Sequence, residues 1–180
     1  PYMIKAAAFV GGVNVAPHPH KYLVLGVSRF LADDGRCRSF GVGGSGYVPG
    51  EGVGAILVKS LTRALADDDH IYGLVKGSAL NHGGKTNSYN VPNPVAQGNL
   101  IKKAIENAGI SPSDLSYLEA HGTGTSLGDP IEITGMSRAF KGAGLPLQSL
   151  PIGSVKANVG HLESAAGIVA ISKVLLQMKH

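Results

Sequence analysis

The 180-residue chain reads as an α/β protein. Short apolar runs resembling buried strands alternate with helix-period segments along its length. One such run, residues 115–120, ends on His121, which opens the loop G-T-G-T-S-L-G-D-P. A second starts at Ile152 and leads through a polar turn with Lys156 and Asn158 to His161 and a long apolar segment. A histidine at the carboxyl end of a strand, before a loop whose glycines let a ligand reach the backbone, is a recurrent active-site arrangement in α/β folds.

Taken in order, residues 6–15 (A-A-A-F-V-G-G-V-N-V) read as a buried strand ending at Gly11-Gly12. His18 and His20 of the following P-H-P-H have the spacing of a metal pair. The prolines flanking His18 and the lack of a nearby carboxylate or thiolate favour a surface loop. Cys37 sits between Arg36 and Arg38, whose charge favours a thiolate and makes it a candidate nucleophile. The turn-rich surroundings favour a small structural residue instead. G-V-G-G-S-G at 41–46 matches a dinucleotide fingerprint, but a loop precedes it and Tyr47-Val48-Pro49-Gly50 follows where a helix must open. A backbone hinge is the better reading.

Residues 53–58 then predict a strand, 62–66 a short helix, and 71–80 a further strand alternating through Tyr72, Leu74 and Lys76. The Gly/Asn/Pro-rich stretch 81–94 predicts an irregular loop, with His82 solvated in it. Residues 94–108 form an amphipathic helix, apolar at Leu100, Ile101, Ala104 and Ile105, basic at Lys102 and Lys103, and stopped by Gly109. After the His121 loop, Asp129 is expected to N-cap a helix, with Pro130 at its first position and Glu132 completing a capping box. The last helix is expected from His161 to about Met178, with Ser164, Ala165, Ala166 and Gly167 permitting close packing.

Composition narrows the class. A hydrophobic fraction of 43% and a mean hydropathy of +0.11 indicate a globular chain with a core. No apolar run approaches the roughly 20 residues of a membrane span, and no signal peptide opens the sequence. The net charge of +4 comes from scattered Lys and Arg, so nucleic acid is not implied. A single cysteine excludes an internal disulfide framework and points to a reducing, cytoplasmic compartment. No metal site is expected. The start at Pro1 and the end at His180, directly after helical sequence, predict an excerpt of a longer protein.

Y-L-E-A-H-G-T-G-T-S-L-G-D-P-I-E and G-S-V-K-A-N-V-G-H-L-E-S-A-A-G-I together resemble the β-ketoacyl synthase (ketosynthase) domains of modular polyketide synthases. D-G-R-C-R-S-F, G-Y-V-P-G-E-G-V-G-A-I-L-V-K and N-H-G-G-K-T-N-S-Y-N-V-P-N-P are also similar to that family. The last leans toward trans-acyltransferase assembly lines. The resemblance implies a thiolase-like layered αβαβα fold, held here in part: about 1–70 would end the N-terminal half, and about 71–180 would make most of the C-terminal half.

It further implies decarboxylative Claisen condensation, with malonyl arriving on the phosphopantetheine arm of an acyl carrier protein and no cofactor of the chain's own. A homodimer is expected. His121 and His161 would hydrogen-bond the thioester oxygen, Lys156 would support them, and Thr123 and Thr125 would bind the pantetheine arm. His161, read as opening a helix, would be kept neutral by the helix dipole and by desolvation.

The family's nucleophilic cysteine lies in an Asp-Thr-Ala-Cys-type motif that nothing here matches, and Cys37 aligns with a different, non-nucleophilic cysteine. The closing Gly-rich segment is unmatched too, so these residues alone are expected to be inactive. Ser45 and Gly26-Val27-Ser28 depart from the usual family residues without touching the chemistry. A non-elongating decarboxylase or gatekeeper, a non-catalytic dimerisation or carrier-docking module, and a fatty-acid ketosynthase are the alternatives.

Overall fold

The computed structural model describes residues 7–86 and 91–180. Ala6 of the first predicted strand and positions 87–90 of the predicted 81–94 loop lie outside the described residues. Strand β1 (Ala7–Asn14) pairs antiparallel with β2 (Gly52–Lys59), in a register running from Ala7 opposite Lys59 to Asn14 opposite Gly52. β1 does not stop at its glycines. Gly12 lies inside the strand opposite Gly54, and both positions need glycine: a Cβ at Gly12 would sit 2.6 Å from the Ser164 carbonyl oxygen, and one at Gly54 2.9 Å from Ile168 Cγ2. The bare backbone lets the turn Glu163–Ala165 press directly on the ribbon. The core is at this contact: Leu162, Ala165 and Ile168, with Ile56 and Val169 packed around them.

The helices follow the local chemistry unevenly. α1 (His20–Val27) occupies a stretch where sequence reading gave no helix; its N-cap, Pro19, offers no side-chain bond, and its valines and Gly26 hide the propensity. α2 (Leu61–Ala66) is capped by Ser60, which accepts from the Arg63 amide. α3 (Pro94–Ala108) has Asn93 accepting from the Val95 and Ala96 amides, proline in its first turn, and Gly109 at φ +64° as its stop. α3 packs on α4 (Gly128–Phe140) through Gly98, where a Cβ would meet the Gly135 carbonyl oxygen at 2.9 Å.

The predicted strand at 115–120 contracts to β3 (Leu118–Glu119), paired in parallel with β4 (Ile152–Gly153). α5 (Lys156–Val159) and α6 (Ala166–Lys179) complete the chain.

Three expectations are corrected. Residues 71–80 form no strand: among the described residues no neighbouring strand is bonded to them. Instead the segment lies along α3 and α6, with Asn107 Nδ2 donating to the Ser78 carbonyl (2.8 Å) and Gly73 against Leu175. Asp129 is not an N-cap, since α4 starts one residue earlier, at Gly128, whose amide donates to Thr125 Oγ1 (3.0 Å). The last helix begins at Ala166, not at His161.

The chain exposes 12222 Å², against roughly 8,200 Å² for a self-contained monomer of its mass by the usual size scaling. Phe9 and Val53 on the outer face of the ribbon are 84% and 79% exposed. Among the described residues no helix is long and apolar enough to cross a membrane.

Candidate active site

Two histidines distant in sequence meet. The rings of His121, just past β3, and His161, past α5, lie edge to face with centroids 5.2 Å apart. His161 is fixed by backbone pairing rather than by a helix. Its amide donates to the Val48 carbonyl (2.7 Å), and the Gly50 amide donates back to its own carbonyl (2.9 Å). Tyr47, next to that segment, stacks on its ring at 5.0 Å. The Glu163 amide donates to His161 Nδ1 at 2.9 Å, so the proton of the neutral ring is carried on Nε2. Glu163 itself sits at φ +44°, costly for a residue with a Cβ, and its carboxylate pairs with Lys21 of α1 (2.9 Å).

Electrostatics favour neutral imidazoles. Burial lowers the His161 pKa to about 4, helped by the charge of Lys156 and by His121 and Lys21. His161 does not open the helix as expected but stands two residues ahead of the helical turn Glu163–Ala165 that leads into α6. His121 reaches the surface, yet the protein around it still desolvates the ring enough to lower its pKa. Lys156 adds to this, and Glu132 and Asp129 oppose it. Lys156 itself is 3% exposed. Burial lowers its pKa despite the fields of Glu132, Glu119, Cys37 and Asp129. The charge of this buried lysine thus adds to burial in disfavouring the charged form of both rings.

The loop between them is held by carboxylates. Glu132 accepts from the His121 amide (2.7 Å) and the Gly122 amide (2.8 Å). Asp129, 7% exposed, accepts from the Phe40 amide (2.6 Å) and the Gly124 amide (3.1 Å). Ser39 Oγ donates to the Gly122 carbonyl and Ser154 Oγ to the His121 carbonyl. The pair read in sequence as a capping box therefore binds loop amides ahead of the helix. Thr123 and Thr125 stand side by side, their hydroxyl oxygens 3.1 Å apart, with Thr125 Oγ1 also accepting from Gly128.

The remaining sequence candidates lie elsewhere. Cys37 is buried at 7% exposure, its sulfur accepting from the Val48 amide. His18 Nδ1 accepts from the His20 amide and His82 Nδ1 from the Gly84 amide, each closing its own local turn. The 41–46 glycines make a turn in which Gly44 packs on the backbone of Gly124. An apolar gap of about 360 Å³ between α3, β3 and α4 touches His121 and Glu132 but neither His161 nor the threonines, and is packing space behind the site.

Comparison with known families settles the lineage. The model of "Beta-ketoacyl synthase, C-terminal domain" matches residues 72–180, and that of "Beta-ketoacyl synthase, N-terminal domain" matches residues 5–64. The chain belongs to the β-ketoacyl synthase family.

Among its relatives, Polyketide synthase PksL of Bacillus subtilis is 63% identical over 97% of this chain, and Polyketide synthase ThaG of Burkholderia thailandensis is 58% identical over 96%. The oxazolomycin ketosynthase domain OzmH KS7 of Streptomyces albus matches with a TM-score of 0.94 at 59% identity over 97% of this chain. A ketosynthase from module 6 of the bacillaene synthase of Bacillus subtilis matches at the same TM-score and 44% identity. This ketosynthase chain spans 4% and 3% of the length of those two curated relatives, and 30% and 31% of the two solved chains. The fold is accordingly thiolase-like α/β, present in part.

Sequence reading missed Glu119, Ser154, Lys173 and Tyr47, and gave Asp129 and Glu132 the wrong task. A glutamate inside the apolar run Y-L-E-A was the available signal, because a carboxylate there must find buried donors.

Proposed function

We propose that this chain is the histidine-bearing part of a polyketide synthase ketosynthase, probed best by the decarboxylation half of its reaction. In the intact enzyme an acyl chain is held on a cysteine outside these residues. Malonyl enters on the phosphopantetheine arm of an acyl carrier protein. Loss of CO₂ leaves a thioester enolate, whose carbon attacks the acyl carbonyl; a C–C bond forms, the C–S bond breaks, and the cysteine thiolate leaves.

The observation that carries this reading is the neutral, edge-to-face histidine pair. His161 offers an Nε2–H, and two such donors aimed at one thioester oxygen stabilise the enolate by about 3–4 kcal/mol each. Burial, with the charge of Lys156 added to it, keeps both rings neutral. The adjacent hydroxyls of Thr123 and Thr125 suit the amides of a pantetheine arm. The pattern around 81–94 favours the trans-acyltransferase type. The division near residue 70, the homodimer, the cytoplasmic setting and the lack of a resident cofactor or metal belong to the same reading. So does inactivity of these 180 residues alone, which match no nucleophile motif.

His161→Ala in the intact ketosynthase tests it. Malonyl decarboxylation should fall by about a hundredfold or more while acylation of the cysteine persists. Retained CO₂ release refutes the assignment.

A further inference from the structure

β3 and β4 share a ladder of only two residue pairs, yet their ends deliver His121 and the turn that carries Lys156. Backbone bonding stops with the Ala120 amide donating to the Gly153 carbonyl (2.8 Å). Beyond that point side chains continue the pairing. Ser154 Oγ reaches the His121 carbonyl (3.0 Å), and the Val155 amide donates to Glu119 Oε1 (2.6 Å).

The other oxygen of Glu119 accepts from Tyr117 Oη (2.6 Å) and Lys173 Nζ (2.7 Å). Lys173 also reaches Tyr117 Oη (2.8 Å) and belongs to α6, the helix that follows His161. The Glu119 side chain is 7% exposed. One buried carboxylate thus joins the strand before His121, the turn before Lys156, and the helix after His161. Burial is the largest single influence on its ionisation and opposes it. The bonds from Lys173, Tyr117 and Val155 together outweigh burial and hold its pKa below the ordinary glutamate value.

We propose that Glu119, anchored by Lys173, is a positioning residue for decarboxylation: it holds the Val155–Lys156 turn in register with the strand that ends at His121. This rests on the functional reading given above. Glu119 acts through Lys156 and the histidines and does not touch substrate. A misplacement of about 1 Å at a reacting centre costs on the order of a hundredfold in rate, so a strap of this kind matters although it lies outside the pocket.

The test uses the intact ketosynthase and malonyl presented on its carrier protein. Glu119→Gln keeps an oxygen for the Val155 amide but loses the charge and the bond from Lys173. It is expected to lower kcat for CO₂ release by roughly ten- to a hundredfold, with KM and cysteine acylation unchanged. Lys173→Met should lower kcat in the same direction.

A merely structural pair would lower acylation and decarboxylation alike, whereas a positioning residue lowers kcat for CO₂ release alone. Wild-type kcat in Glu119→Gln overturns the proposal. So does an equal loss of acylation and decarboxylation, which would mark general unfolding. His161→Ala run alongside separates the two claims. If it abolishes CO₂ release while Glu119→Gln behaves as wild type, this inference alone fails; if it retains release, the histidine reading fails and takes this inference with it.

Discussion

Asp129→Ala is the sharpest probe of how the histidine loop is held. The carboxylate serves two amides, Phe40 at 2.6 Å and Gly124 at 3.1 Å, from a site 7% exposed. Truncation leaves both donors without an acceptor. An unsatisfied buried donor costs about 1–3 kcal/mol. Gly124 is buried and should bear most of that cost, whereas Phe40 is half-buried and water can partly replace the lost bond. The expected loss is about 2–4 kcal/mol.

Asp129→Asn supplies one carbonyl oxygen and turns its NH₂ toward the second amide, so it should lose about half as much. Urea denaturation of the intact ketosynthase, with the slope compared between variants, measures the difference. An alanine variant within about 0.5 kcal/mol of wild type would refute the claim that these carboxylate–amide bonds fix the loop.

Two further outcomes are expected. Gly122→Ala forces a side chain to φ +46° and brings its Cβ to 2.7 Å from Ser154 Cβ and 2.9 Å from Phe40 Cε2. It should cost about 2–4 kcal/mol by the same denaturation assay, and unchanged stability would refute the packing. The second concerns pH. Folding depresses the His161 pKa to about 4 from 6.5, so between those values the unfolded chain binds more protons. Stability therefore falls as pH drops through that window, by at most on the order of 3 kcal/mol. Decarboxylation should likewise show no acid limb near 6.5, and a limb there would show that His161 titrates as an ordinary histidine.

The candidate site was legible in sequence where chemistry and local pattern coincide. His121, His161, Thr123 and Thr125 stand on loops whose glycines announce them, and α3 carries its Asn93 cap, proline and Gly109 stop in plain view. What stayed hidden depends on partners distant in sequence. Glu132 and Asp129 have helix-capping spacing, and only the folded loop shows that His121, Gly122, Gly124 and Phe40 claim their oxygens first. Residues 71–80 have strand periodicity, but a strand also needs a neighbour to bond with, and a single sequence does not reveal whether one is in reach. α1 has no side-chain cap, and the proline at its start stands in a P-H-P-H run that reads as a loop.

The attachment of His161 to the Tyr47–Gly50 segment also bears on recombination between synthases. Val48 and Gly50 bond to His161, Ser39 to Gly122, and Phe40 to Asp129, so each histidine segment leans on residues from the other side of the long 61–117 interval. A chimera joined within that interval pairs the 39–50 segment of one parent with the 121–161 segment of another, and any mismatch falls on the geometry of the imidazoles. Exchanging residues 37–161 as one block keeps those bonds within a single lineage.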